Sequence, residues 1–219
     1  MTASFGSDGK ALILTRSAIS DTGNTTPSTT LWLLDPASAV LTPVDTFTIF
    51  STDLSVKLNQ FPGQIIQASA GVSGDRNMIV LLAGVESDVP ASSKAWIVIR
   101  YDVLRKTAVG QNWIGAPAAP RSVAVDNDGT NVMADWTLYH YINGQVYDWA
   151  QVPSPGTAFN IGSNAWDLKR NLIYSQIPAG GDSSVLHVFD TDNLTVRSRI
   201  QLPEDLAGKS VMSSDGNTL

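Results

Sequence analysis

Ser7-Asp8-Gly9-Lys10-Ala11-Leu12-Ile13-Leu14 reads as a tight turn running into an aliphatic strand. The same arrangement returns at Gly74-Asp75-Arg76-Asn77-Met78-Ile79-Val80, Asn127-Asp128-Gly129-Thr130-Asn131-Val132, Lys169-Arg170-Asn171-Leu172-Ile173-Tyr174 and Ser214-Asp215-Gly216-Asn217-Thr218-Leu219. Anchored at positions 8, 75, 128, 169 and 215, the copies are 67, 53, 41 and 46 residues apart. An apolar side chain stands three residues before every anchor (Phe5, Val72, Val125, Trp166, Met212) and four after it (Leu12, Ile79, Val132, Ile173, Leu219). Aspartate and asparagine hydrogen-bond nearby backbone, and glycine supplies the positive φ that hairpins need.

A second pattern interleaves with the first. It is a strand ending in Asp or Asn: Leu31-Trp32-Leu33-Leu34-Asp35, Val98-Ile99-Arg100-Tyr101-Asp102, Tyr139-His140-Tyr141-Ile142-Asn143 and Leu186-His187-Val188-Phe189-Asp190. Each repeat therefore reads strand, Asp-Gly turn, strand, variable loop, strand, Asx turn, strand. Four short antiparallel strands per unit of this size are the signature of a β-propeller blade. The expected fold is all-β, with four blades near 2–48, 68–112, 121–152 and 162–203, and a fifth begun at 209–219. No stretch sustains helical periodicity; Glu204 to Gly208 makes one turn at most. Polar insertions are expected between the second and third strands, at Ser17–Thr30 and Gly84–Lys94, projecting from one face of adjacent blades, with a shorter one at Pro178–Ser184.

Pro120-Arg-Ser-Val-Ala-Val-Asp-Asn-Asp-Gly129 and His187-Val-Phe-Asp-Thr-Asp-Asn-Leu-Thr-Val196 resemble the YVTN-type bacterial propeller repeat and its lactonase-like relatives. The name-giving tetrapeptide is absent, and Lys169-Arg170 replaces Asp-Gly in the fourth blade. The resemblance implies a ring of about seven blades, of which this chain is a part. The expected context is a larger exported bacterial protein of the periplasm or exterior, with the cytoplasm as the alternative. Open blades leave apolar faces and strand edges exposed, so self-association or pairing with further blades is expected.

Composition narrows the partners. With 20 acidic against 14 basic residues the net charge is −6, and no basic stripe exists to hold phosphate backbones or anionic lipid. Cysteine is absent, which removes disulfides, thiolate nucleophiles and cysteine zinc sites. The opening residues lack the basic start and apolar middle of a signal peptide.

Repeats supply an internal control on chemistry: a residue recurring in several blades is explained by the blade. Asp8, Asp75, Asp128 and Asp215, and likewise Asp35, Asp102, Asn143 and Asp190, read as turn formers. His140 and His187, the only histidines, share one strand position and read as packed histidines, leaving a metal site or catalytic triad without support. Asp126-Asn127-Asp128-Gly129 and Asp190-Thr191-Asp192-Asn193 lack the closing glutamate of a calcium loop. Trp113, Trp136 and Trp149 do not recur and are candidates for exposed contacts. Arg121, Asn164 and Lys209 stand near the start of the innermost strand, where propellers line their channel, and are the candidate ligand-binding residues. No cofactor or metal is implied. The leading expectation is a non-catalytic binding or scaffolding module for a protein, carbohydrate or other small-molecule ligand. The alternative is a lactonase-like hydrolase acting on a small ester or lactone at the channel mouth; a quinone-dependent dehydrogenase has no supporting residue.

Overall fold

The computed structural model describes residues 2–15, 31–44, 47–50, 55–58, 63–87, 94–113, 122–134, 137–143, 145–151, 163–176, 184–204 and 210–219. They carry strands and turns and no helix. The chain divides into two compact units, Met1–Ala116 and Pro117–Leu219. In each, successive strands pair antiparallel with their sequence neighbours, as the doubled repeat requires. The fold is an all-β array of propeller blades.

The first unit holds two blades. Blade one is β1 (Thr2–Phe5), β2 (Ala11–Leu14), β3 (Leu31–Asp35) and β4 (Val40–Pro43). Blade two is β7 (Gly63–Val72), β8 (Met78–Ser87), β9 (Lys94–Asp102) and β10 (Thr107–Trp113). Two strands that the repeat pattern leaves unassigned, β5 (Phe47–Phe50) and β6 (Ser55–Leu58), extend the second sheet to six. β5 runs parallel to β10, with Ala108 opposite Phe47 and Gln111 opposite Phe50. Blade one therefore ends at Pro43 rather than near residue 48, and the Phe47-Thr-Ile-Phe50 segment caps the outer edge of the next sheet. Blade two also starts earlier than 68, at Gly63.

The expected insertion at Gly84–Lys94 is strand at both ends: Gly84 pairs with Trp96, Val85 with Ala95 and Glu86 with Lys94. Residues 88–93 between these strand ends lie outside the described residues. The other insertions, at Ser17–Thr30 and over most of Pro178–Ser184, and with them the common face expected of Ser17–Thr30 and Gly84–Lys94, lie outside the described residues.

Alternation places Leu12, Leu14 and Leu31 on the face of blade one that meets Ile79, Leu81, Ile97 and Ile99 of blade two in one core. The opposite face aligns Phe5 with Ala11, Leu34 and Leu41 across four strands. Phe5 is 48% exposed and Leu41 47%. The first turn is the reason: it has one residue fewer, so Leu12 pairs with Ser4, and Phe5 falls on the other side of its strand from Leu12. The framed position before the first anchor is thus apolar without being core.

The second unit repeats the plan. Blade three is β11 (Val123–Val125), β12 (Asn131–Ala134), β13 (Thr137–Ile142) and β14 (Gln145–Gln151). Blade four is β15 (Asn164–Asp167), β16 (Leu172–Ser175), β17 (Val185–Asp190) and β18 (Val196–Gln201). Ala124, Met133 and Leu138 pack against Trp166, Ile173, Phe189 and Leu194 between the two sheets. Of the fifth repeat, residues 210–219 form the turn but no strand.

The turns explain the fourth blade's departure. In Ser73–Met78 and Ser213–Thr218 the serine hydroxyl donates to the following Asp and accepts the closing amide, with matching bonds at 2.6 and 2.9 Å. Arg76, Gly129 and Gly216 hold the positive φ at the third loop position. Blade four instead closes with an Asx turn: Asp167 accepts from the amides of Lys169 and Arg170, and Asn171 takes the positive φ at the fourth position. Asp35-Pro-Ala-Ser-Ala39 and Asp190-Thr-Asp-Asn-Leu194 have the same construction. Asp167, not Lys169, is the residue that shapes this turn.

Candidate functional site

A small hydroxyl stands six residues before the anchor in each of the first four repeats: Thr2 opens β1, Ser69 lies within β7, and Ser122 and Ser163 immediately precede the inner strands of blades three and four. Ser69, Ser122 and Ser163 are buried. In the second unit these hydroxyls bind the neighbouring repeat. Ser122 Oγ accepts from the Asn164 amide at 2.6 Å, and Ser163 Oγ meets Ser210 Oγ at 2.5 Å. Asn164 Oδ1 accepts from Ser175 Oγ, and the Gln176 amide donates to Ser163 O at 3.0 Å. The result is a polar rail linking blade three, blade four and the start of the fifth repeat.

Asn164 is therefore where the sequence places it, at the start of an inner strand, but it is 3% exposed and its side chain is engaged in the rail. Arg121 and Lys209 lie outside the described residues. In sequence they immediately precede Ser122 and Ser210. The side chains of Trp113, Trp136 and Trp149 also lie outside what is described. The repeated hydroxyl was visible in the alignment of repeats and missed, because serine and threonine are common enough to pass as background.

The opposite end of blade three carries a second polar chain. Asp126 is buried and accepts from the amides of Gly129 at 2.7 Å and Asn131 at 2.9 Å, and from Asn131 Nδ2 at 2.8 Å. Burial pushes its carboxyl above the ordinary value, against the pull of the Asn131 hydrogen bonds. Because Nδ2 of Asn131 faces a carboxylate, Oδ1 faces His140 Nδ1 and can only accept. His140 thus carries its proton on Nδ1. His187, by contrast, is buried and stacked on Phe189 with ring centroids 5.7 Å apart, as a packed strand histidine.

A third cluster clasps the fifth turn. Arg170 Nη1 donates to Asp167 Oδ2 at 2.7 Å and to Gly216 O at 2.5 Å, while Nη2 reaches Asn217 Oδ1 at 3.4 Å. Asp167 is fully buried; burial raises its carboxyl, but the Arg170 guanidinium and the turn amides outweigh this and hold it below the ordinary value. Beside the clasp, Leu172, Tyr174, Val188, Asp190, Arg197 and Ser198 line an open concavity of about 460 Å³ on blade four. Among the described residues no group of acidic and histidine side chains is placed to hold a metal. No helix among them is long and apolar enough to cross a membrane.

No protein family matches the chain by sequence, and no curated protein matches it. Solved structures do match by shape. The β-propeller domain of Cps50 (Swd1) from Myceliophteria thermophila is similar to 98% of the chain at TM-score 0.60 and 11% identity, with 59% of its own length covered. A chain of the Mitotic Checkpoint Complex is similar to 90% of it at TM-score 0.52 and 11% identity, with 50% covered. The chain thus spans between half and three fifths of the length of these two structures. At such identity the likeness establishes the propeller fold alone.

Proposed function

We propose that the chain is a non-catalytic binding or scaffolding module built of YVTN-like blades, serving a larger exported bacterial protein. The observation that carries this reading is the use made of its aspartates. Asp8, Asp35, Asp75, Asp102, Asp126, Asp128, Asp167, Asp190 and Asp215 each accept backbone amides within a turn. Carboxylates held this way shape the scaffold and are poorly placed for proton transfer. That one similar structure belongs to a protein assembly is in keeping with an interaction role. The ligand, a protein, carbohydrate or other small molecule, is received where the inner strands begin. Arg121 and Lys209 directly precede Ser122 and Ser210 of that rail in sequence and add positive charge to an acidic chain. The exposed face of Phe5 and Leu41 belongs to the same reading, as a surface for a second copy or further blades.

One observation favours the lactonase-like alternative: His140, with Nδ1 protonated through Asn131 and Asp126, is oriented as an assisted imidazole would be. Carbohydrate and peptide arrays probed with the wild type and with R121E/K209E test the proposal. Features bound by the wild type and lost in the double variant are expected. Arrays without such features, or turnover of p-nitrophenyl esters that disappears in H140A, would overturn it.

A further inference from the structure

The outermost strand of blade two accepts a parallel strand: β5 adds four residues to β10, from Phe47 opposite Ala108 to Phe50 opposite Gln111. The equivalent outermost strand of blade four is β18, and no strand lies beyond it among the described residues. All six of its residues, Val196-Arg-Ser-Arg-Ile-Gln201, are exposed. It holds no proline, whereas the outer strand of blade one ends on Pro43.

The ladder fixes which backbone groups face outward. Leu202 N donates to Ser184 O, so Leu202, Ile200 and Ser198 point their amides inward at β17. Arg199 and Gln201 point theirs outward. Arg197 is the extra residue of a bulge, leaning its guanidinium toward Asp190 at 3.4 Å. Among the described residues the outer edge therefore has no partner strand over a stretch about as long as β5, and it carries two arginines and no acid in a chain of net charge −6. A second copy is a poor occupant. Two β18 strands brought edge to edge would line one seam with two arginines from each copy and no acid, and like charges facing each other across a strand pair are destabilising.

We infer that β18 is a strand-addition site for an extended acidic segment of a partner protein, bearing carboxylates at alternate residues. Main-chain bonds to Arg199 and Gln201 supply affinity, and the arginines supply the preference for acid. The site lies on the outer rim of blade four and does not depend on the inner-strand reading.

The probe is a fluorescein-labelled peptide of four Glu-Val repeats, with four Lys-Val repeats as its counterpart, followed by fluorescence anisotropy and hydrogen exchange. Saturable binding of the acidic peptide is expected, with exchange slowed at the Arg199 and Gln201 amides. Gln201→Pro removes one outward donor while leaving the inward ladder and the charges intact. It should weaken binding about five-fold. R197E/R199E should transfer the preference to the lysine peptide. No saturable binding at about millimolar peptide, or unchanged exchange at Arg199 and Gln201, would overturn the inference. So would equal binding by Q201P, since that is charge attraction without strand pairing.

Discussion

Ala39, Lys106, Asn171 and Leu194 hold left-handed backbone at the fourth position of an Asx turn, with φ between 53 and 58°. For an L-residue that conformation costs about 1–2 kcal/mol, and asparagine is less penalised than most. The position within the turn, not the side chain, sets the conformation. Ala39 and Lys106 are exposed, so nothing offsets the strain there. Ala39→Gly and Lys106→Gly are each expected to raise stability by about 0.5–1 kcal/mol, less than the full strain because glycine loses more freedom on folding. Asn171→Gly should gain less, since Asn171 Oδ1 accepts from Trp166 Nε1 at 3.3 Å. Leu194 is 6% exposed in the second core, and there glycine should cost about 2–5 kcal/mol. Urea unfolding of the four variants gives the order directly.

Among the elements, the glycine turns look alike in sequence and differ in what surrounds them. A Cβ at Gly9 meets nothing within 4 Å, so Gly9→Ala costs the φ strain alone, about 1 kcal/mol. At Gly216 a Cβ would lie 2.6 Å from Arg170 Nη1 and 2.8 Å from Asp167 Oδ1. Gly216→Ala must therefore break the clasp on blade four as well. Faster limited proteolysis within residues 210–219 is expected for G216A and for Arg170→Ala, and no such change for G9A. The four strands of each blade were legible because turn residues and aliphatics recur in a fixed frame. The β5–β6 hairpin was not, since Phe47-Thr-Ile-Phe50 and Ser55-Val-Lys-Leu58 have no counterpart in other repeats, and the hairpin joins the sheet only through β5, whose partner β10 is distant in sequence. Asn164 was locatable as an inner-strand residue, but its burial depends on Ser122 and Ser175, which are brought to it from other strands. Arg170 was hidden for a similar reason: its partner Gly216 lies in the next repeat.

Across the whole molecule the same turn carboxylates govern the response to acid. Asp35, Asp75, Asp167 and Asp215 all sit below the ordinary 3.8, chiefly through turn hydrogen bonds that outweigh burial where burial opposes them. A depressed folded value contributes stability that is present above 3.8 and lost as pH falls through the folded value. Asp126 has the opposite sign: its raised carboxyl stabilises below 3.8, an effect lost as pH rises through its folded value. Among the described residues, four groups against one predict a melting temperature that falls below about pH 4. Asp167→Asn should make that acid-side loss shallower, and Asp126→Asn should make it steeper; melting curves over a pH series check both signs. The two ways of closing a blade's first hairpin are interchangeable in register. Asp126 closes on Asn131 and Asp167 on Leu172, each across four residues in the same register, although one loop turns on glycine and the other on asparagine. One closure can therefore stand in for the other without shifting a strand, so two loops that differ in every letter can still set the same alternation of faces in the strands they join.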